Sequence, residues 1–229
     1  MIEPNLSVQV EAVIAPICIQ KGRLKVLIIK RAIAPFNNSW CFPSGLVEFH
    51  ETLELASERL LEHITGLAGG VLKSVSCYSE LDRYPESRVI GQLYTAYFKP
   101  NLIANLLVTW QASEAEWVDF VDERLSDLGF DHTAMVTRIL QAIRIDCKLG
   151  LAAFELIPVK FTLTNLQQAF EAILDIELDK RNFRKKIENA SFLKALPETK
   201  VGPHSEARLF TLNREVLSRD YLNQMKPII

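Results

Sequence analysis

The strongest candidate for a chemical function is a basic segment, Lys180–Ile187, in the last quarter of the chain. Phe183 and Ile187 lie four residues apart, so a helix here turns both toward a core and leaves the polar side chains outside. Arginine and asparagine suit base edges, whereas lysine and further arginine neutralise phosphates. The segment by itself fits an ordinary solvated basic helix at least as well as a helix that contacts nucleic acid. The candidate DNA-binding residues are Lys180, Arg181, Asn182, Arg184, Lys185 and Lys186.

A second candidate site lies in the segment 82–88, Asp-Arg-Tyr-Pro-Glu-Ser-Arg. The guanidinium groups of Arg83 and Arg88 present donors in a fixed fork, which suits phosphate or sugar hydroxyl groups. Both residues are therefore candidates for binding a small molecule. The competing interpretation, two charged residues on a surface loop, fits their spacing equally well.

The charge of the chain is unevenly distributed. The 229 residues include 26 Lys and Arg against 28 Asp and Glu, a formal net charge of −2. Residues 1–150 carry 14 basic and 18 acidic groups, which leaves 12 and 10 for residues 151–229, so the balances are −4 and +2. This asymmetry favours two domains with different partners, and near-neutrality of the whole chain does not exclude DNA.

Cysteine usage and hydropathy exclude several other classes. Four widely spaced cysteines with no CxxC pair predict buried thiols in a reducing cytoplasm and no metal site. The longest apolar run, Ala12–Ile19, is far short of the roughly 20 residues that a membrane helix needs. The start shows no secretory signal. We expect a cytoplasmic protein with no membrane partner.

The predicted secondary structure differs between the two parts of the chain that carry the candidate residues. Residues 1–150 contain a helix from about Glu51 to His63, ended by Gly66, and another from about Asp131 to Lys148. Together with the β-rich runs they predict an α+β domain around a mixed sheet. The runs are Val8–Ile19, Leu24–Ile29, Val71–Glu80, Arg88–Phe98 and Glu116–Val121.

Residues 151–229 favour short helices followed by a hairpin. A helix from Thr162 to Leu174 has Thr162 or Thr164 as its N-cap, and Asp179 caps a basic helix from Lys180 to about Ala190. In the segment 200–212 a loop leads into an alternating strand. Helix, turn, basic helix and hairpin is the order of a C-terminal winged helix-turn-helix domain.

Around residue 45 the chain resembles the Nudix family. The family signature is Gly, five residues, Glu, seven residues, then Arg-Glu-aliphatic-x-Glu-Glu-x-Gly-aliphatic. The segment Trp40-Cys-Phe-Pro-Ser-Gly45 is similar to the Trp-x-x-Pro-Gly-Gly entry to that signature. The resemblance implies a Nudix-like α/β/α sandwich for the first domain. The anchors in register are Gly45, Glu51, Arg59, Leu61, Gly66 and Leu67.

The resemblance fails where Nudix enzymes hold their metal. The family places glutamates one, four and five residues after the Arg, where this chain has Leu60, His63 and Ile64. Magnesium prefers carboxylate oxygens, and Glu58 and Glu62 are one residue out of register, a rotation of about 100°. We expect no catalytic residue, no metal and no cofactor, but a cavity that serves as a sensor. The predicted effector-binding residues are Arg83, Arg88, Glu51 and His63.

The two domains together resemble the Nudix-related transcriptional regulators of the NrtR type. The resemblance rests on the segments 154–166 and 178–184, on the Asp131-His132 pair and on the segment 82–88. It implies a homodimer that binds a palindromic operator in double-stranded DNA through its winged helices. A small effector in the Nudix pocket would change the relative placement of the two DNA-binding heads. In the branch tied to NAD metabolism that effector is ADP-ribose, and in a related branch it is a pentose sugar.

This chain departs from the NAD-linked pattern, Asp-Arg-Asp-Pro-Arg-Gly-Arg, at Tyr84 and at Glu86-Ser87. Losing an Arg and gaining a Glu disfavours a diphosphate, so ADP-ribose is one option and a sugar or sugar phosphate is the other. A rival function is a Nudix hydrolase acting on a nucleoside diphosphate derivative, with the tail serving dimerisation. A third is a ligand-binding protein whose winged helix contacts protein.

Overall fold

The computed structural model describes residues 7–85, 87–103, 106–149, 152–188, 190–201 and 206–215. The chain divides into two compact units. The first consists of Met1–Cys18, Lys25–Phe98 and Leu102–Gln141, and the second of Ile19–Leu24, Lys99–Asn101 and Ala142–Ile229. The division of the chain at residues 150 and 151 stays a prediction. Within the described ranges, no helix is long and apolar enough to cross a membrane.

A seven-stranded mixed sheet forms the base of the first unit. Its strands are β1 Gln9–Gln20, β2 Arg23–Arg31, β3 Trp40–Cys41, β4 Ser44–Leu46, β5 Val71–Tyr78, β6 Val89–Tyr97 and β7 Ala112–Asp119. The main path runs β3-β2-β1-β6-β5, while β4 pairs with β1 and β7 with β2. β1 and β6 are parallel, whereas β3, β4, β5 and β7 pair antiparallel with their neighbours. The predicted α+β class with a mixed sheet is confirmed.

β1 is buried along most of its length, from residue 11 to residue 18. A strand in the middle of a sheet that is covered on both faces carries a nearly continuous apolar run, without the alternation of a half-exposed strand. This explains the run Ala12–Ile19. Glu11 is the charged exception at its beginning.

Helix α1, Leu53–Thr65, covers one face of the sheet. The Thr52 hydroxyl caps it by accepting from the Leu55 N–H at 3.3 Å, so the helix begins two residues later than predicted. Gly66 ends it with a φ of 72°, a left-handed conformation that glycine adopts without steric cost. Apolar side chains of α1 and of the sheet form one buried cluster between them. It includes Ala56, Leu60, Leu61, Ile64, Ala12, Ile14, Leu27 and Ile29.

Helix α2, His132–Lys148, begins in the first unit and continues into the second. Met135, Ile139, Ile143 and Cys147 are fully buried at spacings of four residues. The helix predicted from about Asp131 to Lys148 is therefore confirmed, and this apolar stripe gives it a single buried face.

The second unit contains the helices α3 Ala152–Glu155, α4 Leu163–Leu174 and α5 Lys180–Glu188. Thr162, not Thr164, caps α4: its hydroxyl accepts from the Asn165 N–H, and the Asn165 side chain accepts from the Thr162 N–H. The Asp179 carboxylate accepts from the Asn182 N–H at 2.8 Å and caps α5, as predicted.

An antiparallel hairpin of β8 Leu193–Val201 and β9 Glu206–Leu212 follows α5. The prediction of a loop from residue 200 onward was wrong at residues 200 and 201, because both belong to β8. Pro197 concealed this strand in the sequence, since proline has no N–H for the ladder. The pairing accommodates it by a register shift between Ala195 and Thr199. Residues 202–205, where the predicted loop continues, lie outside the described ranges.

The capping box of α4 predicts that substitutions of two nearby threonines, Thr162 and Thr164, change the stability of the protein by different amounts. Thr162→Ala removes the hydroxyl that satisfies the Asn165 N–H, and we expect it to lower the free energy of unfolding by about 1 kcal/mol. Thr164→Ala is the matched control, because Thr164 is exposed inside the helix and alanine has the higher helix propensity. Urea unfolding followed by circular dichroism measures both; equal losses would contradict the capping role.

Candidate functional site

A buried ion network lies in the first unit, between β1 and the start of α2. Arg83 donates from Nε and Nη2 to the two carboxylate oxygens of Asp131, at 2.7 and 2.9 Å. Its Nη1 donates to Glu11 Oε2 at 3.3 Å. The side chains of Arg83 and Glu11 are only 1% and 2% exposed. One guanidinium therefore joins a central strand to the residue that precedes α2.

Gly91 provides the space that this network needs. In the parallel pair of β1 and β6, Gly91 lies directly opposite Glu11. A Cβ atom at Gly91 would lie 2.5 Å from Arg83 Nη1, which is closer than nonbonded atoms approach. The guanidinium can lie over the strand because residue 91 has no side chain.

The electrostatics of the network follow from its burial. Burial raises the pKa of Glu11, and the positive charge of Arg83 opposes that shift. A buried charge is tolerated in a protein only when it is paired and hydrogen-bonded. Removing one member of the network therefore leaves another charged group without compensation.

His132, the first residue of α2, is completely buried beside this network. Its Nδ1 accepts from the Phe42 N–H at 3.1 Å. Burial lowers the pKa of His132 to about 3, so the ring is neutral at pH 7. A neutral imidazole that accepts at Nδ1 carries its proton on Nε2. That Nε2 has no hydrogen-bond partner among the described residues.

Aromatic rings surround His132. The Phe42 and Phe130 rings have centroids 5.6 and 5.2 Å from the imidazole. Tyr84 and Phe36 contact Phe130 in turn, at 5.2 and 4.5 Å. Phe36 and Phe130 have φ values of 60° and 59°, which non-glycine residues adopt at a cost and which often occur at functional sites. Polar groups and aromatic faces together are suited to a small polar ligand.

The Nudix-like box forms a second group of charged side chains, at the start of α1. Arg59 donates to both carboxylate oxygens of Glu51, and the Glu48 N–H donates to Glu51 Oε1 at 2.8 Å. Hydrogen bonds from Arg59 are the main cause that lowers the pKa of Glu51 to about 2. Two residues of the Nudix signature, Glu51 and Arg59, therefore bind each other.

The positions that bind metal in Nudix enzymes are apolar or exposed here. The side chains of Leu60 and Ile64 are 3% and 1% exposed and belong to the core. His63 is exposed in the last turn of α1. Among the described residues, no group of three or more His, Cys, Asp or Glu side chains is arranged to hold a metal ion. Aliphatic side chains have no oxygen to offer magnesium, so the residues at these positions do not fit the metal.

The four predicted effector-binding residues have separate surroundings. Arg83 has the predicted fork geometry, with carboxylates of this chain as its partners. Arg88 donates to the Ser79 and Glu80 carbonyl oxygens at 2.7 Å each. Glu51 binds Arg59, and His63 is exposed. Their role in effector binding stays a prediction.

Sequence patterns indicate only some of the residues that surround Arg83. Glu11 lies at the beginning of an apolar run, and a charged residue that is buried in such a run is nearly always paired. Asp131 and His132 were noted only through the family resemblance. Arg83 and Asp131 are 48 residues apart along the chain. No local sequence pattern indicates that these two residues are in contact.

The basic helix α5 has the predicted two faces. Phe183 and Ile187 are 6% and 1% exposed, and Phe183 packs on Phe170 of α4 with ring centroids 5.9 Å apart. The six candidate DNA-binding residues, Lys180, Arg181, Asn182, Arg184, Lys185 and Lys186, are all exposed. A helix anchored on a second helix, with a basic outer face, is the arrangement that helix-turn-helix proteins insert into the major groove.

Family models match both domains. Residues 8–138 match the NUDIX domain, and residues 153–212 match the NrtR DNA-binding winged helix domain. The chain belongs to the Nudix family, and within it to the proteins that carry an NrtR-type winged helix after the Nudix domain.

Three similar proteins illustrate this relationship. The ADPR responsive transcriptional repressor NtrR of Acinetobacter baylyi is 27% identical over 195 residues, 84% of this chain and 77% of the relative. The ADP-ribose pyrophosphatase of Methanocaldococcus jannaschii is 34% identical over 112 residues, 49% of this chain and 63% of that enzyme. The crystal structure of Shewanella oneidensis NrtR with a 27mer DNA aligns with a TM-score of 0.76 at 21% identity, covering 91% and 95% of the two chains. At this identity the structural likeness establishes the fold.

The environment of His132 predicts a pH dependence of stability. Its folded pKa of about 3 lies below the unfolded value of about 6.5. The unfolded chain therefore binds the extra proton first as the pH falls, and stability declines between about pH 6.5 and pH 3. Through this group the wild type should lose about 2.5 kcal/mol of its free energy of unfolding between pH 7 and pH 4.5. We expect His132→Asn to lack this loss, because the asparagine side chain does not titrate in this range.

Urea unfolding at the two pH values measures this difference. His63→Asn is the matched control and should keep the wild-type pH dependence, because the His63 side chain is exposed. If His132→Asn and the wild type lose the same free energy of unfolding on acidification, His132 is not the buried neutral group described here.

Proposed function

We propose that this protein is an effector-responsive transcriptional regulator that binds a palindromic operator as a homodimer. The observation that carries the proposal is the amphipathic helix α5, which buries Phe183 and Ile187 and exposes six basic or amide side chains. The match of its domain to the NrtR DNA-binding winged helix supports it. A regulator that binds operator DNA acts in the cytoplasm, where we expect the protein.

The exposed residues of α5 divide into two roles under this proposal. Arg181 and Asn182 lie in its first turn, the part of a recognition helix that reaches base edges. Lys180, Arg184, Lys185 and Lys186 supply positive charge for phosphates, which fixes the register on the duplex without reading sequence. Because the positive charge is concentrated on one helix, a chain of net charge −2 can still bind DNA.

We further propose that the first domain, residues 1–150, is a sensor without hydrolase activity, and that residues 151–229 form the DNA-binding domain. Leu60 and Ile64 occupy two of the metal-ligand positions of the Nudix signature and lie in the core. A magnesium ion at these positions would lack carboxylate oxygens, so the chemistry of Nudix hydrolysis has no basis in these residues.

The effector in this proposal is ADP-ribose, or alternatively a sugar or sugar phosphate. The relative from Acinetobacter baylyi is described as responsive to ADPR, which supports ADP-ribose. The commitment of Arg83 to Glu11 and Asp131 favours hydroxyl groups over a diphosphate, because its positive charge is already balanced. We propose Arg83, Arg88, Glu51 and His63 as effector-binding residues, with Asp131 and His132 beside Arg83.

A Nudix hydrolase is the second candidate, supported by the likeness to an ADP-ribose pyrophosphatase across 49% of the chain. We expect no turnover of ADP-ribose with magnesium or manganese, because Leu60 and Ile64 offer no oxygen ligands. A coupled phosphate-release assay on the purified full chain tests this. Turnover that Glu51→Gln abolishes would support the hydrolase and reject the sensor proposal.

The recognition helix predicts a specific effect of Arg181→Ala. Loss of one base-contacting arginine should weaken operator binding about tenfold, whereas effector affinity stays unchanged. A mobility-shift titration at several salt concentrations, paired with calorimetry of effector binding, measures both. The control is Arg138→Ala, an arginine of α2 that donates to Ser76. Equal losses of operator and effector binding would contradict the assignment.

A further inference from the structure

The described part of the chain contains two buried arginines, Arg31 and Arg83, with 8% and 4% exposure. Arg83 is neutralised by the carboxylates of Glu11 and Asp131. Arg31, the last residue of β2, forms no ion pair with a carboxylate of the described residues. A buried charge is costly unless an opposite charge offsets it. The first unit therefore holds a buried cation that no described carboxylate balances.

The loop that follows β2 orients the Arg31 guanidinium. Its Nε donates to the Pro35 carbonyl oxygen at 2.7 Å, and its Nη2 donates to the Ala34 carbonyl oxygen at 3.4 Å. Its Nη1 donates to no group among the described residues. Carbonyl oxygens accept hydrogen bonds but carry no net charge, so they orient the guanidinium without neutralising it. Further N–H donors of the rigid fork stay available in a fixed direction.

The Phe130 ring lies next to Arg31 and to two other polar side chains. The guanidinium carbon of Arg31 lies 5.1 Å from the Phe130 ring centroid. The ring centroids of Tyr84 and His132 each lie 5.2 Å from the same point. Burial raises the pKa of Tyr84, and the positive charge of Arg31 opposes that shift. The same charge adds to the burial that lowers the pKa of His132, so it acts on both side chains.

This group of side chains offers hydrogen-bond donors to a ligand. The neutral His132 ring accepts at Nδ1 from the Phe42 N–H, so its proton is on Nε2, which has no partner among the described residues. Arg31 has donors only, and its charge is permanent. A positive charge beside an unused N–H donor suits an anion whose oxygens only accept, and a phosphate group has this chemistry.

The aromatic rings around these donors reach the solvent. Phe36 is 38% exposed and packs on Phe130 with ring centroids 4.5 Å apart. Tyr84 and Phe130 are half-buried. His132 is completely buried, so a ligand atom reaches its Nε2 only when a neighbouring ring moves. The left-handed backbone of Phe36 and Phe130, with φ values of 60° and 59°, is of the kind that occurs at ligand clamps.

We propose that Arg31 and the Nε2–H of His132 bind a phosphate group of the effector, and we call these two residues the phosphate site. The inference rests on the proposed function and deepens it, because it favours ADP-ribose or a sugar phosphate over a free sugar. Arg83 does not compete for that phosphate, because Glu11 and Asp131 already balance its charge.

Calorimetry on the full-length protein compares ribose 5-phosphate with ribose, which lacks the phosphate group. We expect the wild type to bind ribose 5-phosphate at least about tenfold more tightly, the effect of one hydrogen bond to a charged group. Arg31→Gln should abolish this preference and should weaken ADP-ribose binding at least about tenfold. Arg31→Lys keeps the charge but not the fork, so it should retain part of the preference.

Arg124→Gln is the matched control for Arg31→Gln. Arg124 also lies over an aromatic ring, with its guanidinium carbon 4.9 Å from the Trp40 ring centroid, compared with 5.1 Å for Arg31 and Phe130. It differs in having carboxylate partners, Asp122 at 2.9 Å and Glu116 at 2.8 Å. The control should keep the wild-type preference. If Arg31→Gln keeps it as well, the inference is wrong and Arg31 only holds its loop.

Imidazole NMR on the wild type gives an answer even if Arg31→Gln does not fold. In protein with isotope-labelled histidine, the His132 signals are those missing from His132→Asn. Ribose 5-phosphate or ADP-ribose should shift the Nε2–H signal of His132, and ribose should not. A bound phosphorylated probe that leaves this signal unchanged would overturn the inference.

The same probes separate failure of the phosphate site from failure of the proposed function. Ribose that binds as tightly as ribose 5-phosphate would leave the sensor in place and overturn the phosphate site. If ribose, ribose 5-phosphate and ADP-ribose all fail to bind, the effector part of the proposed function fails, and inorganic phosphate decides. A shift of the His132 signal by inorganic phosphate would then support the phosphate site, and no shift would overturn it.

Discussion

The first unit depends on one buried cation. Arg83 is almost inaccessible to water and is held by Asp131 and Glu11, three groups that are distant in the chain. A buried guanidinium without partners would be strongly destabilising, so the loop that carries Arg83, the strand that carries Glu11 and the start of α2 must assemble together. Gly91 is part of this requirement, because a side chain there would occupy the position of the guanidinium. The neutral His132 and its aromatic neighbours lie next to this network.

The Nudix box of this chain separates the structural part of the signature from the chemical part. The cap at Thr52, the Glu51–Arg59 pair and the left-handed Gly66 define the helix and its ends. Leu60 and Ile64, at two positions where the family signature has glutamate, are part of the core. The contacts that define this helix and its ends therefore do not depend on carboxylates at positions 60, 63 and 64.

The second unit shows how a weakly charged chain can carry a strongly charged surface. α5 places its two apolar residues in the core and all its basic residues outside, and α4, with its capping box, provides the surface on which it packs. The partly buried Lys99 and the buried Glu155 add an ion pair within this unit. The charges of α5 are exposed to solvent, whereas those of Lys99 and Glu155 are largely shielded from it.

The sequence by itself determined the elements whose signals are local. The four-residue spacing in α2 and α5, the cap at Asp179, the stop at Gly66 and the apolar run of β1 each depend on near neighbours, and the structure agrees with them. Only the tertiary structure decided which charges are buried together. Arg83 and Asp131 are 48 residues apart, Lys99 and Phe154 are 55 apart, and β8 forms despite Pro197 because β9 pairs with it. These outcomes depend on desolvation and on pairing across the fold, which leave no periodic trace in a sequence.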